Sequence, residues 1–195
     1  VSSSPSRSDA PKEPDDAPSA RRVDDATAHV RTVLARAVDR LSAAGARDEV
    51  LAEYVEARKV LGLTRQAVLR PVARAWRLGA LLLGRDGTLY ATGSIVRAGE
   101  AGVRNYQSQS AEDRRDLRAA ALRGKVAPGE TVNHGWRVLD PASIFRAAST
   151  DVVFGAADGT VRVRWNAALG DDASRELGAY IDERVGLLVD PLDIP

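Results

Sequence analysis

Two Asp-Gly pairs, Asp86-Gly87 and Asp158-Gly159, each sit between runs of alternating apolar residues. Asp-Gly tolerates the left-handed backbone of a tight hairpin turn, so each pair constrains where the chain reverses and which strands pair. The pattern predicts one hairpin from 74–84 and 88–97, and a second from 151–157 and 160–166. A two-residue turn at the first would pair Arg85 with Thr88. Trp76 would then face Arg97, Leu78 would face Ile95, and Ala80 would face Gly93. Residues 131–139 alternate like a further strand.

The remaining segments have helical spacing. Val30, Val33, Leu34, Ala37, Val38 and Leu41 make one apolar stripe, with Asp24 and Asp25 at its start and Gly45 at its stop. Val50, Leu51, Tyr54, Val55 and Leu61 read as the stripe of a second helix ending at Gly62, so the two form an αα-hairpin. Residues 62–73 are then a connector holding Pro71, and 99–109 a loop with two glycines. Ser110 opens a helix that Gly124 stops. Asp140-Pro141 opens a short one, with Asp as cap and Pro where its missing N–H is harmless. Asp171 or Asp172 caps a last helix carrying Leu177, Tyr180, Ile181, Val185 and Leu188. The expected fold is α+β: a two-layer domain with a mainly antiparallel sheet of about five strands packed on helices, including an N-terminal αα-hairpin.

Residues 1–22 are rich in Ser, Pro, Asp and Ala and read as a disordered tail. A single domain over 23–190 and an irregular end over 191–195 complete the expected organisation. A domain of that length buries enough surface to fold without a staple. Basic and acidic residues nearly cancel, 28 against 27, which argues against a general nucleic-acid binder. The chain has no cysteine, so disulfides, thiolate zinc sites and a cysteine nucleophile are excluded. No apolar run approaches the length of a membrane span, and no apolar stretch near the start resembles a secretory signal. A cytoplasmic location is the expectation.

Strand alternation assigns side chains to faces. It places all three tryptophans on the helix-covered faces. It gathers Arg77, Asn133, Arg137, Arg162 and Arg164 on the opposite face, with Thr92 and Ser94. Guanidinium forks beside an amide suit a carboxylate or phosphate, so these five are the candidate ligand-binding residues. Leu81, Leu83, Val96, Leu139 and Val153 fall on the same face, and a solvated face should carry fewer apolar groups. Partial cover by a helix or by a second copy of the chain is the other expectation.

Catalytic and cofactor patterns are missing. There is no phosphate-binding Gly-rich loop, no dinucleotide fingerprint and no nucleophile elbow. His29 lies off the apolar stripe of its helix. His134 falls beside Trp136, where a lone imidazole is usually a core residue. Ser94 is the nearest nucleophile, with no base tied to it by sequence. Neither a catalytic residue, a metal nor a cofactor is expected.

Arg74-Ala-Trp76-Arg77-Leu78-Gly79, Leu81-Leu82-Leu83, Ala91-Thr92-Gly93 and the run from Gly129 through Val132-Asn133-His134-Gly135-Trp136-Arg137 resemble a family of small, uncharacterised actinobacterial proteins. The resemblance covers roughly 51–188. The strong preference for Arg over Lys agrees with that source. Some members of the family carry the label glutaminase, which implies amide hydrolysis. Serine-type glutaminases use Ser-x-x-Lys. Here Asp9, Glu56 and Leu122 stand three places before Lys12, Lys59 and Lys125, so no such motif exists. The residues therefore favour a non-enzymatic domain that binds an anionic ligand or a partner, with the amide hydrolase as the alternative.

Overall fold

The computed structural model describes residues 20–60, 63–100, 109–147, 151–165 and 174–190. The expected tail, the 99–109 loop and the Asp171/Asp172 cap fall largely or wholly outside them. Among the described residues the protein is mixed α+β, with a large, mostly antiparallel sheet, three α-helices and one 3₁₀ helix.

Helix α1 (Ala20–Ala43) forms as its stripe requires and buries Val30, Val33, Leu34, Ala37 and Leu41. The expected second helix is a strand, β1 (Glu49–Val55), so there is no αα-hairpin. Val50, Leu51 and Ala52 are all buried because β1 lies inside the sheet with both faces covered. Such a run shows no alternation, and its spacing also fits a helix. The β-branched and aromatic residues Val50, Tyr54 and Val55 decide for strand.

The expected connector is also largely strand. After the short pair β2 (Arg58–Val60) and β3 (Leu63–Arg65), β4 runs from Val68 to Leu78 through Pro71. Its pairing with β1 slips at Leu51/Ala52, opposite Pro71 and Ala73, so a bulge accommodates the proline. The chain then turns at Gly79-Ala80 into β5 (Leu81–Gly84), which sets Trp76 opposite Leu83 rather than Arg97. Gly79 has φ +66°, and the Tyr180 hydroxyl accepts from Ala80 N at 3.0 Å and donates to Leu78 O at 3.1 Å. A helix about a hundred residues away thus clamps this turn.

Strand β6 (Leu89–Ala91) follows a three-residue loop, Arg85-Asp86-Gly87, not a two-residue turn. Gly84 N donates to Thr88 O at 2.8 Å, and Gly87 takes φ +82°. The Asp86 carboxylate accepts from Thr88 N and Oγ1. β10 (Val153–Gly155) and β11 (Val161–Arg164) are joined in the same manner around Asp158-Gly159. They form a separate three-stranded sheet with β12 (Ser174–Glu176). The main sheet has seven strand segments rather than the five expected for the whole domain.

Its seven segments follow the order β7-β8-β1-β4-β5-β6-β9, with β7 (Ser94–Arg97), β8 (Thr131–His134) and β9 (Arg137–Leu139) completing it. β7 continues β6 and β9 continues β8. Leu89 faces Leu139 and Arg97 faces Thr131 with no net slip between them, so one ladder runs through both halves. The two ends of the strand order are therefore joined through the chain, and the sheet is rolled. Gly93 sits at the bend, where a Cβ would lie 2.3 Å from His134 O. An apolar cluster of Leu51, Ala75, Leu82 and Tyr90, with Trp136 packed on them, lies on the concave side.

The convex side is covered in two places. Helix α1, α3 (Leu177–Val189), the 3₁₀ helix (Pro141–Arg146) and the small sheet pack over Trp76, Leu78, Leu81, Leu83, Leu89 and Leu139. Helix α2 (Gln109–Arg123) packs over Val50, Ala52, Leu69, Val96 and Val132. Each fully buried aliphatic or aromatic side chain here contributes roughly 1.5–3 kcal/mol. Only Trp76 lies under the helices. Trp136 is on the concave side, and Trp165 is 39% exposed, contrary to the expected common face. Alternation slips at Gly135, φ +66°, between β8 and β9, and Trp165 follows β11 of the separate small sheet.

Candidate functional site

The five candidate residues are distributed over three places. Arg77 and Asn133 do meet, on the concave side. Arg77 Nε donates to Glu49 Oε2 at 3.1 Å, and its Nη2 donates to Asn133 Oδ1. Asn133 Nδ2 donates to the same Glu49 oxygen at 2.7 Å and to Val50 O at 3.3 Å. This closed triangle ties β4, β1 and β8 together. The parallel seam between β1 and β8 has only two residue pairs, Val50 with Val132 and Leu51 with Asn133. Trp136 Nε1 adds a bond to Ala52 O at 3.1 Å across the same seam, and its ring meets Tyr90 edge-on at 5.1 Å. Glu49 neutralises Arg77, so the triangle works as a fastener for the rolled sheet.

Arg137 lies elsewhere, on β9, with its Nη2 3.3 Å from Asp151. Arg162 and Arg164 belong to the small sheet. Arg162 donates to Ser174 Oγ at 2.9 Å and to Ser174 O at 3.3 Å. The Arg164 guanidinium lies 5.5 Å from the Phe154 ring centre. The expected single face does not form because 161–164 is not part of the main sheet.

A different arginine pair lies on the convex face, Arg74 on β4 and Arg85 in the loop after β5. Asp48, just ahead of β1, is only 8% exposed and is held by two cations. Arg74 Nε donates to one carboxylate oxygen at 2.6 Å, and Arg85 Nε donates to the other at 2.7 Å. Arg74 also bonds Glu130 and the Asp48 carbonyl, which engages all its nitrogens. Burial would raise the Asp48 pKa, but the hydrogen bonds and charges of Arg74 and Arg85 outweigh it and hold the carboxyl below its ordinary value. Arg85 also lies 5.5 Å from the Trp76 ring centre, and among the described residues its Nη1 has no hydrogen-bond partner.

Arg85 stands between two clefts. One, about 620 Å³, is lined by Val50, Pro71, Val72, Ala73, Arg74 and Asp86 with Arg85 itself. The other, about 330 Å³, runs along α1 at Arg31, Leu34, Ala35, Val38 and Asp39. The β4 bulge places Val72, 45% exposed, in the first. Sequence reading missed this cluster because the residues from Val50 onward were read as a helix. Once 49–55 is a strand, Asp48 and Val50 share a face, and Arg74 sits opposite Val50.

His134 is half-buried. Its Nε2 is buried without a hydrogen-bond partner, and burial pushes its pKa below the ordinary imidazole value. Ser94 is directly opposite it in the β7–β8 register. No cluster of three His, Asp or Glu side chains suited to a metal occurs among the described residues. Among the same residues, no helix is long and apolar enough to cross a membrane. No family model, curated protein or solved structure matches the chain.

Proposed function

We propose that the protein is a non-enzymatic binding domain whose site is the cleft at Arg74 and Arg85, and that it takes an anionic partner there. The observation that carries this reading is Arg85. It is fixed by Asp48 and Trp76, presents an Nη1 with no hydrogen-bond partner among the described residues, and borders an apolar floor of Val50, Pro71, Val72 and Ala73. A cation held in place by its neighbours loses little entropy when it meets a carboxylate. The groove volume of about 620 Å³ falls within the usual range for ligand sites. The partner that fits is a segment or small molecule joining an acidic group to an apolar body.

A thermal-shift panel of amino acids, phosphorylated metabolites and short acidic-apolar peptides tests this. A ligand at about 100 times its Kd adds about 2.7 kcal/mol. The expected result is a shift from an acidic-apolar member that Arg85→Glu and Val72→Asp both abolish. A flat panel, or a shift that survives both substitutions, refutes the groove.

A second reading is amide hydrolysis, favoured by the register that sets Ser94 opposite His134. A neutral imidazole beside a serine is the minimum of a nucleophile and base pair. No carboxylate bonds the imidazole, so this reading stands second. Hydrolysis of glutamine or an activated amide, lost in both Ser94→Ala and His134→Gln, would move it first.

A further inference from the structure

A second cluster of arginines lies on the other side of α1, where α3 meets the small sheet. A cleft of about 210 Å³ is lined by Trp165, Arg175, Tyr180, Glu183 and Arg184. Arg175 lies 5.8 Å from the Trp165 ring centre, and Arg184 lies 5.2 Å from that of Tyr180. Glu183 is shared between them. It pairs with Arg175 Nη1 and lies 3.9 Å from Arg184 Nη2. Among the described residues, two guanidinium groups therefore face one carboxylate.

The local fold keeps Arg184 in place. Tyr180 is buried, with its hydroxyl committed to Ala80 N and Leu78 O, so the ring beneath Arg184 is fixed. Gly79 leaves room beside it: a Cβ at that position would lie 3.4 Å from Arg184 Nε and 2.4 Å from the Tyr180 hydroxyl. Arg184 Nε is buried and makes no hydrogen bond. Buried donors are normally satisfied by a partner, and among the described residues this one is not.

We propose that this cleft binds a small oxyanion, a phosphate or carboxylate group, between Arg175 and Arg184. The anion would accept the terminal donors of both forks. Trp165, 39% exposed, forms a flat wall for a ring carried on that anion. The site shares no residue with the groove at Arg85, so either can fail alone.

Trp165 supplies the signal for the test, and because Trp76 lies 5.5 Å from Arg85 the titration is repeated with Arg85→Gln protein, where a change arising at Trp165 persists and one arising at Trp76 does not. Tryptophan emission is followed during titration with inorganic phosphate and, separately, benzoate, at constant ionic strength. A saturable change with a midpoint at or below about 1 mM is expected for at least one of them. Saturation by phosphate alone or by benzoate alone supports the site and identifies which oxyanion it takes. Arg184→Gln should raise the midpoint at least about tenfold, and Arg85→Gln should leave it unchanged. If Arg184→Gln does not fold, Arg175→Gln carries the comparison, since that side chain is 54% exposed. No saturation with either anion, or a midpoint unmoved by the substitution, overturns the proposal.

Discussion

Replacing Asp48 by Asn removes the charge that holds Arg74 and Arg85 while keeping the shape of the side chain. Asp48 is 8% exposed, and its two partners are 42% and 62% exposed. A hydrogen bond to a charged group contributes about 1.5–3 kcal/mol when desolvated. Both arginines can return to water, which lowers the loss toward the range of surface pairs. Asn also relieves the cost of burying a carboxylate. The net expectation is a loss of about 2 kcal/mol at pH 7. For a chain of this length that lowers Tm by roughly 4–8 °C.

The pH dependence follows from the sign of the Asp48 shift. Its folded pKa lies below the unfolded value of about 3.9, so the unfolded state binds more protons in acid. The stabilisation is complete above about pH 4 and is lost as pH falls through the folded pKa. Wild type and Asp48→Asn should therefore differ most at neutral pH and converge in acid. Urea unfolding at a series of pH values measures this. A difference under about 0.5 kcal/mol at pH 7, or one that stays constant into acid, would refute the reasoning.

Other changes test the fold around the site. Gly93→Ala would drive a Cβ to 2.3 Å from His134 O and 2.4 Å from Gly135 C, so a loss of about 2–3 kcal/mol or more is expected in thermal melts. Gly186→Ala, in α3 with nothing within 4 Å of the added carbon, should instead stabilise by up to about 1 kcal/mol. Tyr180→Phe removes both bonds of the clamp on the Gly79 turn and should cost about 2 kcal/mol by urea unfolding. The His134 imidazole should titrate below 6.5 by NMR, and its contribution to stability should fall as pH drops below that value through its folded pKa.

Much of the fold was legible where local chemistry decides it. The α1 stripe, the Asp140-Pro141 start and the strand character of 131–139 all follow from nearest neighbours. The errors fall where distant parts of the chain decide. β1 is buried on both faces, so its pattern lost the alternation that marks a strand. The Gly79 turn has no Asp or Asn of its own and relies on Tyr180. Once that turn was missed, Leu81, Leu82 and Leu83 were assigned to the wrong faces, whereas Tyr90 and Ala91, past the three-residue loop, were assigned correctly. Arg77 and Asn133 were still placed together, because both lie on strands whose own alternation was read correctly. Arg162 and Arg164 were placed with them by assuming one continuous sheet, and Arg137 by carrying the β8 alternation across Gly135, whose φ is +66°.

Amide chemical-shift mapping tests the binding groove most directly. The ¹⁵N-labelled protein is titrated with each acidic-apolar peptide and each small anion in turn. Shifts grouped at Val72, Ala73, Arg74, Arg85 and Gly87, absent in Arg85→Glu, are the expected result. Shifts that avoid these residues, or no shift with any member, would contradict it.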